Sequence, residues 1–301
     1  MKKHSIVLSF LLINVTGFVC SMQRNMLDDF TIEPVDQKNR KQVNIFIQDR
    51  FKKHAIEKTG RHGNIAPFHF NIAHKRNKMA AFIKGASFWG GLHIDNMYVQ
   101  KNNPRSKGFG PALIDRVYKL AEEKVYKFVS VETFDNALLT FLVSQGFEVD
   151  FSRKGYGKGF VYHYLSKNPK IRGTKKAMVP GFSGGIKNEF NLKELGEKSS
   201  EFGFVLKSDK KIIGAITARM FLGCVHICNL IVQKECRGMG FGRLLLESAL
   251  ENAKSKNCTF AVLETFNFHA PDFYEKLGFN VDFARKGYDS NSTYYYFRKK
   301  L

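Results

Sequence analysis

A strand, an Arg-x-x-Gly-x-Gly turn and a helix in succession make a phosphate site, and this chain carries the arrangement twice. Arg105-Ser106-Lys107-Gly108-Phe109-Gly110 follows the apolar run from Leu92 to Gln100, and Arg237-Gly238-Met239-Gly240-Phe241-Gly242 follows the run from Val225 to Gln233. Glycines at such a turn let the backbone approach a ligand. The free N–H groups of the first helical turn, with the helix dipole behind them, then hold a pyrophosphate. Arg105, Gly108 and Gly110, and in the second occurrence Arg237, Gly238, Gly240 and Gly242, are the candidate phosphate ligands. Phe109 and Phe241 are expected to face inward and the arginines outward. A plain helix cap would use the same glycines, but recurrence after a strand and before an amphipathic helix favours a ligand.

The recurrence extends beyond the loop. Glu132-Thr133-Phe134 returns as Glu264-Thr265-Phe266, Gly146-Phe147 as Gly278-Phe279, and Arg153-Lys154-Gly155-Tyr156 as Arg285-Lys286-Gly287-Tyr288, each 132 positions later. That period is too long for a solenoid unit and suits a whole domain, so the chain reads as a tandem duplication.

The elements that position the loops follow from periodicity. In the first copy we expect strands at 30–35, 68–73, 79–88, 92–100, 128–133, 148–152 and 160–165, with helices at 42–57, 111–123 and 137–145. The second copy repeats the order from residue 202, with helices at 242–254 and 271–277. Alternation at these lengths predicts α/β architecture with mixed α+β sheets. The expected division is a signal-like segment at 1–21, a first domain at 22–166, a linker with an abbreviated front end at 167–201 holding one short helix, and a second domain at 202–301. Aromatic closing strands, Tyr162 and Tyr164 in one copy and Tyr294 to Phe297 in the other, are expected to join the two.

With the loops placed, the chain resembles the GNAT superfamily of N-acetyltransferases, whose acyl-CoA signature is Q/R-x-x-G-x-G/A. The segment from Asn267 to Phe279 resembles the family's second signature, N-x-x-A-x-x-x-Y-x-x-x-G-F. The resemblance covers about residues 30–165 and 202–301. It implies two GNAT-like domains, acetyl-CoA or another acyl-CoA as cosubstrate, and an amine acceptor that attacks the thioester directly. It also implies a splayed strand pair at 225–233 and 261–265, with a backbone N–H near Ile231 or Val232 as oxyanion donor. Asn267 would contact the cofactor arm and Tyr274 would protonate the leaving thiolate; a packed core tyrosine is the competing reading. Opposite Tyr274 the first copy has Leu142, which cannot donate a proton, so the first copy is expected to be catalytically degenerate.

No glutamate occupies the strand 225–230, where the family often keeps its base. His226, with Glu264 on the neighbouring strand to orient a water, is the candidate. His93 and Glu132 hold the matching places in the first copy, which suits a structural role equally well.

Composition bounds the alternatives. A formal charge of +21 favours anionic partners. No Arg-rich arm or zinc-finger spacing argues for specific nucleic-acid reading. Cys224, Cys228, Cys236 and Cys258 lack paired spacing, so no metal site is expected. Lys2 and Lys3 before an apolar run to Cys20 resemble an export signal, implying an exported or periplasmic protein; a cytoplasmic or membrane-anchored one is the alternative. A non-catalytic acyl-CoA sensor remains the second functional class. The sequence does not name the amine acceptor.

Overall fold

The computed structural model describes residues 30–60, 65–73, 79–100, 106–169, 184–185 and 192–301. The signal-like segment 1–21, Arg105 and most of 167–191 lie outside them. Among the described residues, no helix is long and apolar enough to cross a membrane.

Two mixed sheets carry the molecule. The first is built from β2 (Pro67–Ala73), β3 (Met79–Phe88), β4 (Gly91–Val99), β5 (Phe128–Thr133), β6 (Glu148–Arg153) and β7 (Tyr162–Lys167), in spatial order β2-β3-β4-β5-β7-β6. The second contains β9 (Ser199–Ser208), β10 (Lys211–Phe221), β11 (Cys224–Val232), β12 (Phe260–Phe266), β13 (Asn280–Arg285) and β14 (Tyr294–Lys300), in order β9-β10-β11-β12-β14-β13. The orders correspond strand for strand. In each sheet one parallel pair, β4·β5 or β11·β12, sits inside antiparallel neighbours.

The helices follow from their apolar spacing. Helix α4 (Phe241–Ser255) buries Phe241, Leu245, Leu246, Ala249, Leu250 and Ala253, a stripe at helical period against the second sheet. Helix α2 (Ser106–Glu123) does the same on the first sheet through Leu113, Ile114, Val117 and Ala121. The shorter helices α3 (Asn136–Ser144) and α5 (Pro271–Lys276) follow β5 and β12.

The structure departs from the sequence reading at the front of the chain. Strand β1 (Phe30–Pro34) pairs antiparallel with β9, so it belongs to the second sheet and not to the first copy. Helix α1 (Arg40–Thr59) accompanies it, packing Val43 and Ile47 on Val205, Ile212, Ala215 and Ile231. The second sheet therefore has a complete front end, borrowed from residues 30–59, and the expected boundaries at 22–166 and the abbreviated front end are corrected. The physical reason is that an edge strand can pair with whichever sheet leaves an edge open, a choice that local periodicity does not encode. Among its described residues, the stretch expected to hold one short helix gives β8 (Gly184–Gly185), paired with β4, and a 3-10 turn at Leu192–Leu195.

The halves meet through their closing strands in a nearly two-fold arrangement. Phe151 stacks on Phe283 at 4.9 Å, and Tyr164 meets Tyr296 edge-on at 5.2 Å. Arg153, fully buried, donates to Asp282 at 2.8 Å and to the Tyr164 hydroxyl at 2.6 Å. Its counterpart Arg285 donates to Asp150 at 2.5 Å and to the Tyr296 hydroxyl at 2.9 Å. Each guanidinium thus crosses to the other half.

Deleting residues 22–60 from the otherwise intact chain would strip the cover from Val205, Ile212 and Ile231. At about 1.5–3 kcal/mol for each large apolar side chain, this approaches the whole margin of an ordinary domain. We expect the deletion to abolish the cooperative unfolding transition of the second half in calorimetry. An unchanged transition would show that β1 and α1 are dispensable.

Candidate functional site

β11 and β12 pair over only three registers, Cys224↔Phe260 to His226↔Val262, and then part company. A bulge at Cys228, where the β10 register slips between Thr217 and Ala218, bends β11 at the start of the divergence. The wedge between the strands opens into a cavity of about 1170 Å³. It reaches both faces of the sheet. On the α4/α5 face it is lined by Gly238, Gly240, Phe241, Gly242, Phe273 and Tyr274; on the α1 face it meets Ile47, Phe51, His54, Phe88, Trp89 and Glu264. Ile231, Val232 and Arg237 line it between the two.

The loop has the shape that a phosphate ligand requires. Gly238 and Gly240 are left-handed, at φ 79° and 83°, and Gly240 caps α4 with no side chain in the cap. A Cβ at either glycine would meet nothing within 4 Å, so the side-chain side of the loop is open. Arg237 is exposed, as expected, and donates from Nε to the Val232 carbonyl at 3.1 Å, which ties the loop to the strand end. Lys52 and Arg243 add positive charge to the lining.

Glu264 and His226 come together across the strand pair: His226 Nε2 donates to Glu264 Oε2 at 2.5 Å. Burial alone would raise the Glu264 carboxyl. His226, and after it Arg153 at 3.9 Å from the other half, outweigh that and hold it below the usual carboxylate range. The first copy does not reproduce the pair. His93 Nδ1 lies 3.0 Å from Ser130 Oγ, and Glu132 accepts from the Tyr162 hydroxyl at 3.1 Å. Tyr274 lines the cavity, and burial pushes its hydroxyl up to about 12, so it is protonated at neutral pH.

Asn267 does not line the cavity. Its side chain accepts from the Thr293 N–H at 3.2 Å and its own N–H donates to the Thr293 carbonyl, fastening the end of β12 to the approach of β14.

The first copy differs most at its own loop. Gly108 and Gly110 lie inside α2, which begins five residues earlier than the sequence pattern suggested, and neither is left-handed. A Cβ at Gly110 would lie 2.9 Å from the Phe141 ring, so this glycine makes room for packing. Tyr98 and Val99, the counterparts of Ile231 and Val232, pair with Gly185 and Gly184 of β8. Sequence reasoning also missed Phe88, Trp89, Phe51, His54 and His269 as lining residues. Only the Trp89-Gly90 turn hinted at them, and nothing local says which cavity a hairpin tip will enter.

The match to a family model falls on this half of the chain. The family model described as Acetyltransferase (GNAT) family matches residues 176–279. A 1.9 Å crystal structure of an acetyltransferase from Bacillus cereus is 32% identical, covering 34% of this chain and 74% of that one, with a TM-score of 0.34. Residues 176–279 match the GNAT family. An uncharacterized N-acetyltransferase of Methanocaldococcus jannaschii is 40% identical over 80 residues, 25% of this chain and 51% of that protein. N-alpha-acetyltransferase 30 of Schizosaccharomyces pombe is 35% identical over 86 residues, 26% of this chain and 57% of that protein. The chain thus spans about half the length of these curated GNAT relatives.

Because the folded Glu264 carboxyl is depressed, its ion pairing stabilises the fold fully above the ordinary unfolded value near pH ~4.3, and that contribution is lost as pH falls through the lower folded value. Glu264→Gln should therefore lower the melting temperature at pH 7 and flatten its decline on acidification. Parallel melting curves of the two proteins from pH 7 to 3 check this.

Proposed function

We propose that the protein transfers an acetyl or other acyl group from acyl-CoA to a primary amine by direct attack, and that the carboxy-terminal half does the chemistry. One observation carries the reading: a left-handed glycine loop at a helix N-terminus and the Glu264 carboxylate, bonded to His226 outside the lining, open into the same wedge between parting parallel strands. The residues fit the cosubstrate. The left-handed glycines Gly238 and Gly240 at the start of α4, both lining the cavity, suit a pyrophosphate, and the free edge of β11 beyond His226 suits an amide-bearing arm.

When bound, acyl-CoA supplies the thioester carbonyl. The backbone N–H of Ile231 or Val232 holds the developing oxyanion. Glu264, ionised and bonded to His226, receives the proton that the attacking amine gives up, directly or through a water. As the C–N bond forms and the C–S bond breaks, the Tyr274 hydroxyl delivers a proton to the departing sulfur. We further propose that the two halves arose as copies of one domain, which their matching strand orders support.

The first copy is read as closed. A strand edge bonded to β8 cannot also bond an incoming ligand, and β8 covers the stretch of β4 that corresponds to the cofactor-facing part of β11. The chain should therefore bind one CoA, not two. Calorimetry is expected to give a stoichiometry of one, abolished by Gly240→Glu and unchanged by Gly108→Glu. Two sites, or loss with Gly108→Glu, would reverse the assignment.

Tyr274→Phe should lower kcat by about 10²-fold in a thiol-release assay with acetyl-CoA and a responsive amine, while leaving acyl-CoA affinity almost unchanged. Full activity in the variant would remove Tyr274 from the mechanism.

A further inference from the structure

The cavity needs both halves of the chain to be complete. Phe88 and Trp89 come from the β3–β4 hairpin of the first sheet, yet they line the cavity of the second. Trp89 is left-handed, at φ 47°, in a two-residue turn with Gly90 at φ 81°. A bulky residue in that region is uncommon and is retained only where its surroundings fix it. Here the Asp289 N–H of the second half donates to the Trp89 carbonyl at 2.9 Å, and Lys127 of the first donates to the Tyr288 carbonyl at 3.1 Å. The Trp89 ring then meets Phe268 at 5.1 Å and Phe266 at 5.5 Å, with Phe88 against Tyr294 at 5.7 Å.

The opposite wall continues the same chemistry. Phe51 and Ile47 of α1 face the cavity, and His54 stacks on His269 at 5.4 Å. The His269 Nε2 has no partner among the described residues, and burial, with His54 beside it, lowers its imidazole to about 4, so it is neutral at physiological pH. The anion on this face is Glu264, whereas Lys52 and Arg237 line the rim. One carboxylate can receive one ammonium head. A polyamine would leave its further charges facing Lys52 and Arg237, where like charges repel.

We propose that the acyl acceptor is a primary monoamine carried on an aromatic or bulky apolar body, which seats against Phe51, Phe88, Trp89 and Phe266, and that the amino-terminal half supplies this wall to the active cavity. The inference rests on the acyltransferase reading above. With the acyl arm sharing the cavity, the acceptor is a small molecule.

The chain has a single tryptophan, Trp89, so its emission reports on this wall without any need for turnover. In the full-length protein, with and without CoA, 2-phenylethylamine should produce a saturable change in Trp89 emission and spermidine none. With acetyl-CoA, thiol release should favour 2-phenylethylamine over spermidine by about 10-fold or more in kcat/KM. Phe51→Ala and Trp89→Ala should each raise the KM for 2-phenylethylamine by about 10-fold and leave that for acetyl-CoA within about twofold. Circular dichroism establishes that each variant is folded; should Trp89→Ala unfold, the half-buried Phe51 carries the same expectation. A saturable emission change specific to 2-phenylethylamine without thiol release from any amine would overturn the transfer reading and keep the aromatic site. Preference for spermidine or a peptide amino terminus, or unchanged KM in folded Phe51→Ala, would overturn the site and leave transfer standing.

Discussion

Arg153 is a guanidinium with no access to water, and the arrangement of the two halves depends on how its charge is answered. Its partners are Asp282 and Glu264 of the second sheet and the hydroxyl of Tyr164 in its own. Removing a partner from such a buried pair typically costs about 3–5 kcal/mol, because a stranded charge is worse than no charge at all. Arg285 answers Asp150 in the reverse direction, so the closing strands β6·β7 and β13·β14 can meet in only one way. A purely aromatic interface of Phe151, Phe283, Tyr164 and Tyr296 would tolerate sliding; the two arginines specify the register.

From that register the site follows. The contact that pairs Arg153 with Asp282 also places its guanidinium 3.9 Å from Glu264, reinforcing His226 in keeping the carboxylate ionised in a buried place. It also brings the β3–β4 hairpin over the wedge, where Phe88 and Trp89 complete the wall. The reciprocal hairpin, Leu222-Gly223, points into the first half, where Phe134, Tyr156, Tyr162 and Phe221 pack tightly. The same docking therefore gives an open cavity on one side and a packed core on the other.

The wedge itself comes from a limit on strand pairing. Parallel strands that stop bonding after three registers leave backbone groups that need partners, and a buried strand edge is costly to leave bare. In the first sheet β8 supplies the partner on β4. In the second, the edge of β11 faces the cavity, which suits a ligand with amides of its own.

Much of this was legible in the sequence. Strand and helix positions followed from apolar periodicity, most of them to within two residues, and the glycine loop followed from local spacing; Tyr274, Ile231 and Val232 came from the resemblance to the family signatures, and His226 and Glu264 from their places on neighbouring strands. Other features depend on pairings between distant segments. That β1 and α1 join the second sheet was decided by which edge stood open. Gly108 and Gly110 sit within a helix, and Gly110 there admits the Phe141 ring from a distant segment. Asn267 fastens a loop because Thr293 lies opposite, and Trp89 lines a cavity of the other half because two arginines fix the docking. Local sequence sets periodicity, turn chemistry and the residues available for reaction; only tertiary structure decides which edges pair, which faces meet and so which wedge stays open.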